Sequence, residues 1–190
     1  MAKNNDIAWP SFKKHYTRVV FTSIFFTLLQ YTMYFYSNLE GEEARGFFRA
    51  FSLIYLFLIS VLAIELHSLP YHFVFKKVNF KQFVTHFIIF VIVISYLFAS
   101  IYNTIYLLDN GSFTGSIVPG FFQSLFDFFC FSVDFISGSG LSDIRPVSFW
   151  AKLCSILESF LFLYIVIILL SNFKDFGKSK LGSSIDIIND

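Results

Sequence analysis

From Phe121 to Trp150 the chain reads FFQSLFDFFCFSVDFISGSGLSDIRPVSFW. A short apolar run gives way abruptly to serine and glycine, then to Asp143-Ile144-Arg145-Pro146, and then to the start of a much longer apolar run. The first run is too short to cross a bilayer, which takes about 20 mostly apolar residues. A segment that enters, turns back through small polar residues and leaves again fits this pattern. Irregular backbone persists at membrane depth only where it is buried in protein or lines a water-filled path. Residues 137 to 142 are therefore expected to line a path for ions.

Composition supports a membrane setting. Of 190 residues, 29 are Phe, 56% are hydrophobic and only 14% are charged, far from the balance of a soluble domain. A net charge of +1 with no basic patch interleaved with aromatics leaves no basis for nucleic-acid binding. The polar stretch Met1 to Lys14 leads into an apolar run longer than a signal-peptide core and without a small-residue cleavage site, so the N-terminus is expected to remain. Cys130 and Cys154 lie in apolar surroundings and are expected to be buried free thiols.

Four stretches are long enough to span: Val19 to Tyr36, Phe47 to Leu66, Phe83 to Leu108 and Phe149 to Phe173. Tyr31, Tyr34, Tyr36, Tyr102, Tyr106 and Trp150 fall near their ends, where amphipathic rings favour the headgroup level. Short loops rich in Lys and Arg stay on the cytoplasmic side. Lys3, Lys13, Lys14 and Arg18 precede the first span, Lys76, Lys77 and Lys81 follow the second, and Lys174, Lys178 and Lys180 follow the fourth. Both termini are thus expected in the cytoplasm of a cell (inner or plasma) membrane protein, with the re-entrant piece dipping in from outside. The tail from Gly177 to Asp190 is too short for a ligand-binding domain, so any gating sensor is expected within the membrane or on a regulatory partner. Glu65, His67, His72 and His86 lack the spacing of a metal site, since Glu65 and His67 fall on different helix faces. They are expected as interfacial anchors. No nucleophile, base and orienting group share a recognisable spacing, so no enzyme is expected.

Within the re-entrant piece, Phe121 to Ile136 is expected to form a pore helix, preceded by Pro119 and Gly120 and capped by a polar residue such as Ser116. The negative end of its dipole would face the middle of the bilayer and favour a cation there. Ser137, Gly138, Ser139, Gly140, Leu141 and Ser142 can follow as extended chain, the glycines allowing successive carbonyls to face one axis.

Phe131-Ser132-Val133, followed ten residues later by Asp143-Ile144-x-Pro146-x-Ser148, resembles the pore region of the potassium-channel family, which reads roughly F-S-V-x-T-x-T-T-V-G-Y-G-D-x-x-P between an outer and an inner helix. The resemblance covers residues 83 to 175. It implies an all-α membrane fold of four transmembrane helices, with a re-entrant pore helix and filter loop between the third and fourth. It further implies a homotetramer with the filter on its axis. The domains then run 1–82 (cytoplasmic N-terminus and two peripheral helices), 83–175 (pore) and 176–190 (short cytoplasmic tail). In the ungapped register Gly138 stands at the family's threonine, Ser139 at its valine, Gly140 at its first glycine, Leu141 at its tyrosine and Ser142 at its second glycine. A left-handed backbone at Ser142 would cost about 1–2 kcal/mol. A rival register lays Gly138-Ser139-Gly140 on G-Y-G and needs a two-residue insertion before Asp143.

The resemblance also implies supporting roles around the filter. Asp134, at the dipole-disfavoured end of the pore helix, is expected to share a proton or a water with Asp143 and brace the loop, with Arg145 as rival partner. An outward-facing ring of Asp134 carboxylates is the alternative. Glu158, roughly 12 Å along the last helix from Trp150, is expected to brace from behind the filter. Phe162 stands near the place where family inner helices often bend at a glycine. The degenerate filter leads to a channel for monovalent cations, potassium or sodium, that discriminates weakly and holds no cofactor. The alternative is a non-conducting scaffold or regulatory subunit of the same fold. No row of arginines marks the first two spans as a voltage sensor.

Overall fold

The computed structural model describes residues 8–39, 46, 50–55, 57, 80–164 and 166–167. The chain is mostly helical in these residues. Helix α1 runs Ala8–Leu39, α2 is described over 50–55, α3 runs Phe80–Leu108, α4 runs Phe121–Ser137 and α5 is described over 149–164. Two helices are long and apolar enough to cross a membrane, Thr17–Tyr36 within α1 and Phe87–Leu108 within α3. Most of the expected second span, the end of the fourth, Lys3, Lys76, Lys77, Lys174, Lys178 and Lys180, and Glu65, His67 and His72 lie outside the described residues.

Helix α3 is the centre of the molecule. Its buried Phe90, Val93, Ile94, Leu97, Phe98, Ala99, Ile101, Tyr102 and Ile105 form one core with Phe121, Leu125, Phe128 and Phe131 of α4, joined by Phe113, Ile144 and Ala151. The α4 contributions recur at helical spacing, so one stripe of that helix faces α3 and its other side, with Phe122 and Phe126, stays outside. Phe128 is fully buried, with Phe113 edge-on at 4.7 Å between ring centroids.

Between α3 and α4 the chain makes a short 3-10 turn, Asn110–Ser112, capped by the Asp109 side chain. Two-residue strands follow, β1 (Phe113–Thr114) before α4 and β2 (Arg145–Pro146) after the loop, paired antiparallel with Phe113 opposite Pro146 and Thr114 opposite Arg145. The Val147 and Ser148 amides both donate to the Ser112 carbonyl. The chain entering α4 is thus tied directly to the chain leaving the loop.

Helix α1 has an inverted polarity. Phe21, Phe25 and Leu28 are 71%, 63% and 51% exposed, whereas Ser23, Thr27 and Gln30 are buried. Its inner side meets the other helices through polar contacts. Gln30 Nε2 donates to Thr104 Oγ1 of α3 at 2.8 Å, and Thr27 Oγ1 lies 3.0 Å from the Tyr55 hydroxyl of α2 and 2.8 Å from the Tyr96 hydroxyl of α3.

Candidate functional site

The loop after α4 begins where the helix runs out of conformational options. Gly138 takes the left-handed conformation (φ 65°, ψ 22°), and its amide bonds the Asp134 carbonyl at 2.8 Å, which closes the helix. Gly140 has φ 67°, and the space beside both glycines is open. Ser142 has no positive φ, so the left-handed cost expected there in the ungapped register does not arise. The two left-handed residues are instead those that the rival register lays on the family's two glycines.

Asp134 organises this loop. Its Oδ1 accepts from the Ser139 hydroxyl and, at 2.8 Å, from the Leu141 amide; its Oδ2 accepts from the Ser142 amide at 3.1 Å. These bonds offset the unfavourable helix dipole at this end of α4. In a trans peptide the carbonyl points opposite to the following N–H. With the Leu141 and Ser142 amides both directed at Asp134, the carbonyls of Gly140 and Leu141 turn away from α4. Leu141 itself is 87% exposed.

Asp143 makes a different connection. Its Oδ2 accepts from the Ser116 amide (3.0 Å) and hydroxyl (2.6 Å), the hydroxyl bond foremost in holding its carboxyl below the usual range. The two carboxylates thus engage separate partners and are not bonded to each other. Asp134 grips the loop from the helix side, while Asp143 anchors its outer end to the segment before α4. Ser116 is consequently not the helix cap. Gly120 occupies that position without a side-chain bond, and the Asp127 carboxylate reaches back to the Val118 amide at 2.7 Å. Arg145 makes no ion pair among the described residues and contributes backbone pairing to Thr114. Gly115, with φ 121°, lets the two segments touch: a Cβ there would stand 2.7 Å from the Asp143 carbonyl oxygen and 2.8 Å from Ile144 Cα.

Behind the loop, Glu158 joins three helices. Buried on α5, it accepts from the Tyr102 hydroxyl of α3 at Oε2 (2.5 Å) and from the Ser132 hydroxyl of α4 at Oε1. Both carboxylate oxygens are thereby satisfied, which a buried carboxylate requires. Tyr102, expected at a headgroup, is instead fully buried, because its hydroxyl has Glu158 to meet and its ring is enclosed by Phe113, Phe128 and Phe131. Asn103 adds a second polar tie, accepting from the Ser124 hydroxyl at 2.6 Å and donating to the Phe121 carbonyl at 3.4 Å. Ser132 was marked only as part of the Phe131-Ser132-Val133 motif, and no spacing signal pointed to the bonds that Tyr102, Ser132, Asn103 and Ser116 make. Their partners lie 18 to 56 residues away in the chain.

Both cysteines are free, and Cys130 is exposed rather than buried because it lies on the side of α4 turned away from α3. Among the described residues no cluster of His, Cys, Asp and Glu could hold a metal ion. Comparison with protein-family models, with curated proteins and with solved structures gives no match for this chain.

Proposed function

We propose that the chain is the subunit of a tetrameric cation channel of the cell membrane, with a potassium-channel-like pore and a degenerate filter that discriminates weakly among monovalent cations. Four spans, cytoplasmic termini and a loop entering from outside complete this reading. The observation that carries it is the direction of the loop backbone. Asp134 draws two consecutive amides to the helix side, so two consecutive carbonyls, those of Gly140 and Leu141, face away from it. Carbonyls presented in series are what replaces the water shell of a permeating cation. The frame around them also fits, because Glu158 ties the outer helix, the pore helix and the inner helix together at one buried point. The inverted polarity of α1 suits a helix with lipid on one side and protein on the other.

Weak discrimination follows from what the loop lacks. Leu141 stands exposed where the family has its tyrosine, and within one chain nothing among the described residues lies within 4 Å of a Cβ placed at Gly138 or Gly140. Potassium selectivity depends on the number and field strength of the coordinating carbonyls, and both fall when the loop is loosely supported. Purified protein in liposomes, with reversal potentials recorded under bi-ionic potassium and sodium gradients, tests both parts. A reversal potential near zero is expected. A strongly potassium-selective shift overturns the weak discrimination. Intact tetramers without cation flux at any voltage or pH overturn the channel and leave a non-conducting scaffold.

A further inference from the structure

Helix α1 is expected from the sequence to be a peripheral element, yet it reaches the first turn of α4 by two routes. The direct route is aromatic. The Tyr31 ring lies 5.3 Å from that of Phe121 and 4.6 Å from that of Phe122, and the Tyr34 ring lies 5.8 Å from Phe121. The indirect route passes through α3. Gln30 bonds Thr104, and the adjacent Asn103 holds Ser124 and the Phe121 carbonyl. The first turn of α4 has no side-chain cap of its own, so these contacts add to the burial of Phe121 and Leu125 against α3 in fixing its position. One turn earlier in α1, Thr27 is bonded to both Tyr55 and Tyr96, which brings α2 into the same seam.

We infer that Tyr31 and Gln30 are positioning residues for α4, and that the α1–α2 pair regulates the loop by setting where α4 begins. A 17-residue helix carries such a displacement from its first turn to Asp134, which holds Ser139, Leu141 and Ser142. As a means of regulating permeation this rests on the channel reading; as a mechanical linkage it does not. The pair needs neither arginine rows nor a ligand domain to act in this way. Differential contact with α4 in two positions of α1 is sufficient.

The test uses the full chain reconstituted in lipid and reads backbone amide exchange at Ser124 to Phe128 of α4, with Ser155 to Ser159 of α5 as reference. Tyr31→Ala is expected to speed exchange in α4 about tenfold while α5 stays within about twofold, the mark of local rather than global opening. Gln30→Leu is expected to act in the same direction, and Tyr31→Phe, which keeps the ring, to restore the parent behaviour. Unchanged exchange in α4 for Tyr31→Ala overturns the inference, as does an equal rise in α5, which would make α1 a source of general stability only. Flux is recorded on the same samples. A local exchange response without flux in the parent sinks the channel and keeps the linkage, whereas flux without an exchange response sinks the linkage alone.

Discussion

Replacing Tyr102 by phenylalanine removes a single oxygen from the buried point where α3, α4 and α5 meet. The ring keeps its surroundings, with Phe98, Phe113, Phe128 and Phe131 at centroid distances of 6.1, 5.6, 6.1 and 5.4 Å. What is lost is the 2.5 Å bond to Glu158 Oε2, leaving the carboxylate with Ser132 alone. A hydrogen bond to an ionised group contributes about 1.5–3 kcal/mol and one between neutral groups about 0.5–1.5. Interhelical bonds measured inside membranes average about 0.6 kcal/mol and reach about 1.7. The expected loss for Tyr102→Phe is therefore about 1–2 kcal/mol, at the upper end of the membrane range because Glu158 is fully enclosed and has no water to turn to. Glu158→Gln keeps the shape and one acceptor oxygen, so the double variant closes a cycle in which a direct contact gives a coupling energy of about 0.5–3 kcal/mol. Reversible unfolding of the four proteins in mixed micelles, followed by near-ultraviolet circular dichroism, measures it. A coupling energy below about 0.3 kcal/mol, within the usual additivity error, would refute the claim that this bond ties α3 to α5.

Four further outcomes are expected. Phe128→Ala should cost about 3–5 kcal/mol by leaving a cavity at the centre of the α3–α4 contact, which the same unfolding assay reads. Gly115→Ala should cost about 1–3 kcal/mol for its backbone conformation alone, add a clash with the chain at Asp143 and Ile144, and speed exchange at the Val147 amide; Gly111→Ala, which meets only the flexible Asp109 side chain at 3.3 Å, should be mild. Asp134→Asn weakens the acceptor shared by Ser139, Leu141 and Ser142 and should alter current kinetics and loop stability together; if both were unchanged, Asp134 would not brace the loop. On pH, the Asp143 carboxyl is lowered on folding from the ordinary 3.8. Its stabilisation is accordingly complete above that value and disappears only as pH falls through the still lower folded value. The nuclear magnetic resonance shift of the Ser116 amide should titrate with a midpoint below 3.8, and a midpoint above it would contradict the hydrogen-bond assignment.

The helices were legible in the sequence because apolar run length is a direct signal. The helix expected over Phe121 to Ile136 is observed as Phe121–Ser137, and the expected Phe83 to Leu108 stretch lies within Phe80–Leu108. That Gly138 and Gly140 would be needed for positive φ was likewise legible, since few other residues take that conformation. The partners of the carboxylates were not. That Asp134 and Asp143 share a proton or a water was an expectation carried by the family resemblance, and nothing in a linear pattern shows that loop amides would bond Asp134 or that Ser116, far back along the chain, would bond Asp143. Tyr102 misled for a related reason. Ring type and position near the end of a run both favour a headgroup location, and only the fold reveals a buried carboxylate on another helix within reach of its hydroxyl. Hydrogen-bond pairing across tens of residues leaves no local trace.

Helix α1 joins the question of environment to that of mechanism. Its outward Phe21, Phe25 and Leu28 would each be unfavourable against water, at roughly 25 cal/mol per Å² of apolar surface, while its inward Ser23, Thr27 and Gln30 spend hydrogen-bonding capacity inside the protein. Against lipid both terms reverse sign. The apolar side is at home, and the hydroxyls of Ser23 and Thr27 are satisfied by bonds to the Val20 and Ser23 carbonyls one turn earlier. Lipid, however, supplies no hydrophobic drive for one apolar helix to pack on another, so packing and interhelical hydrogen bonds must fix where α1 sits. The bonds from Gln30 to Thr104 and among Thr27, Tyr55 and Tyr96 do so on the inward side. The residues that seat α1 on α3 are therefore those that place Tyr31 against Phe121 and Phe122. A substitution that loosens the seat is expected to loosen the contact of Tyr31 with Phe121 and Phe122 as well.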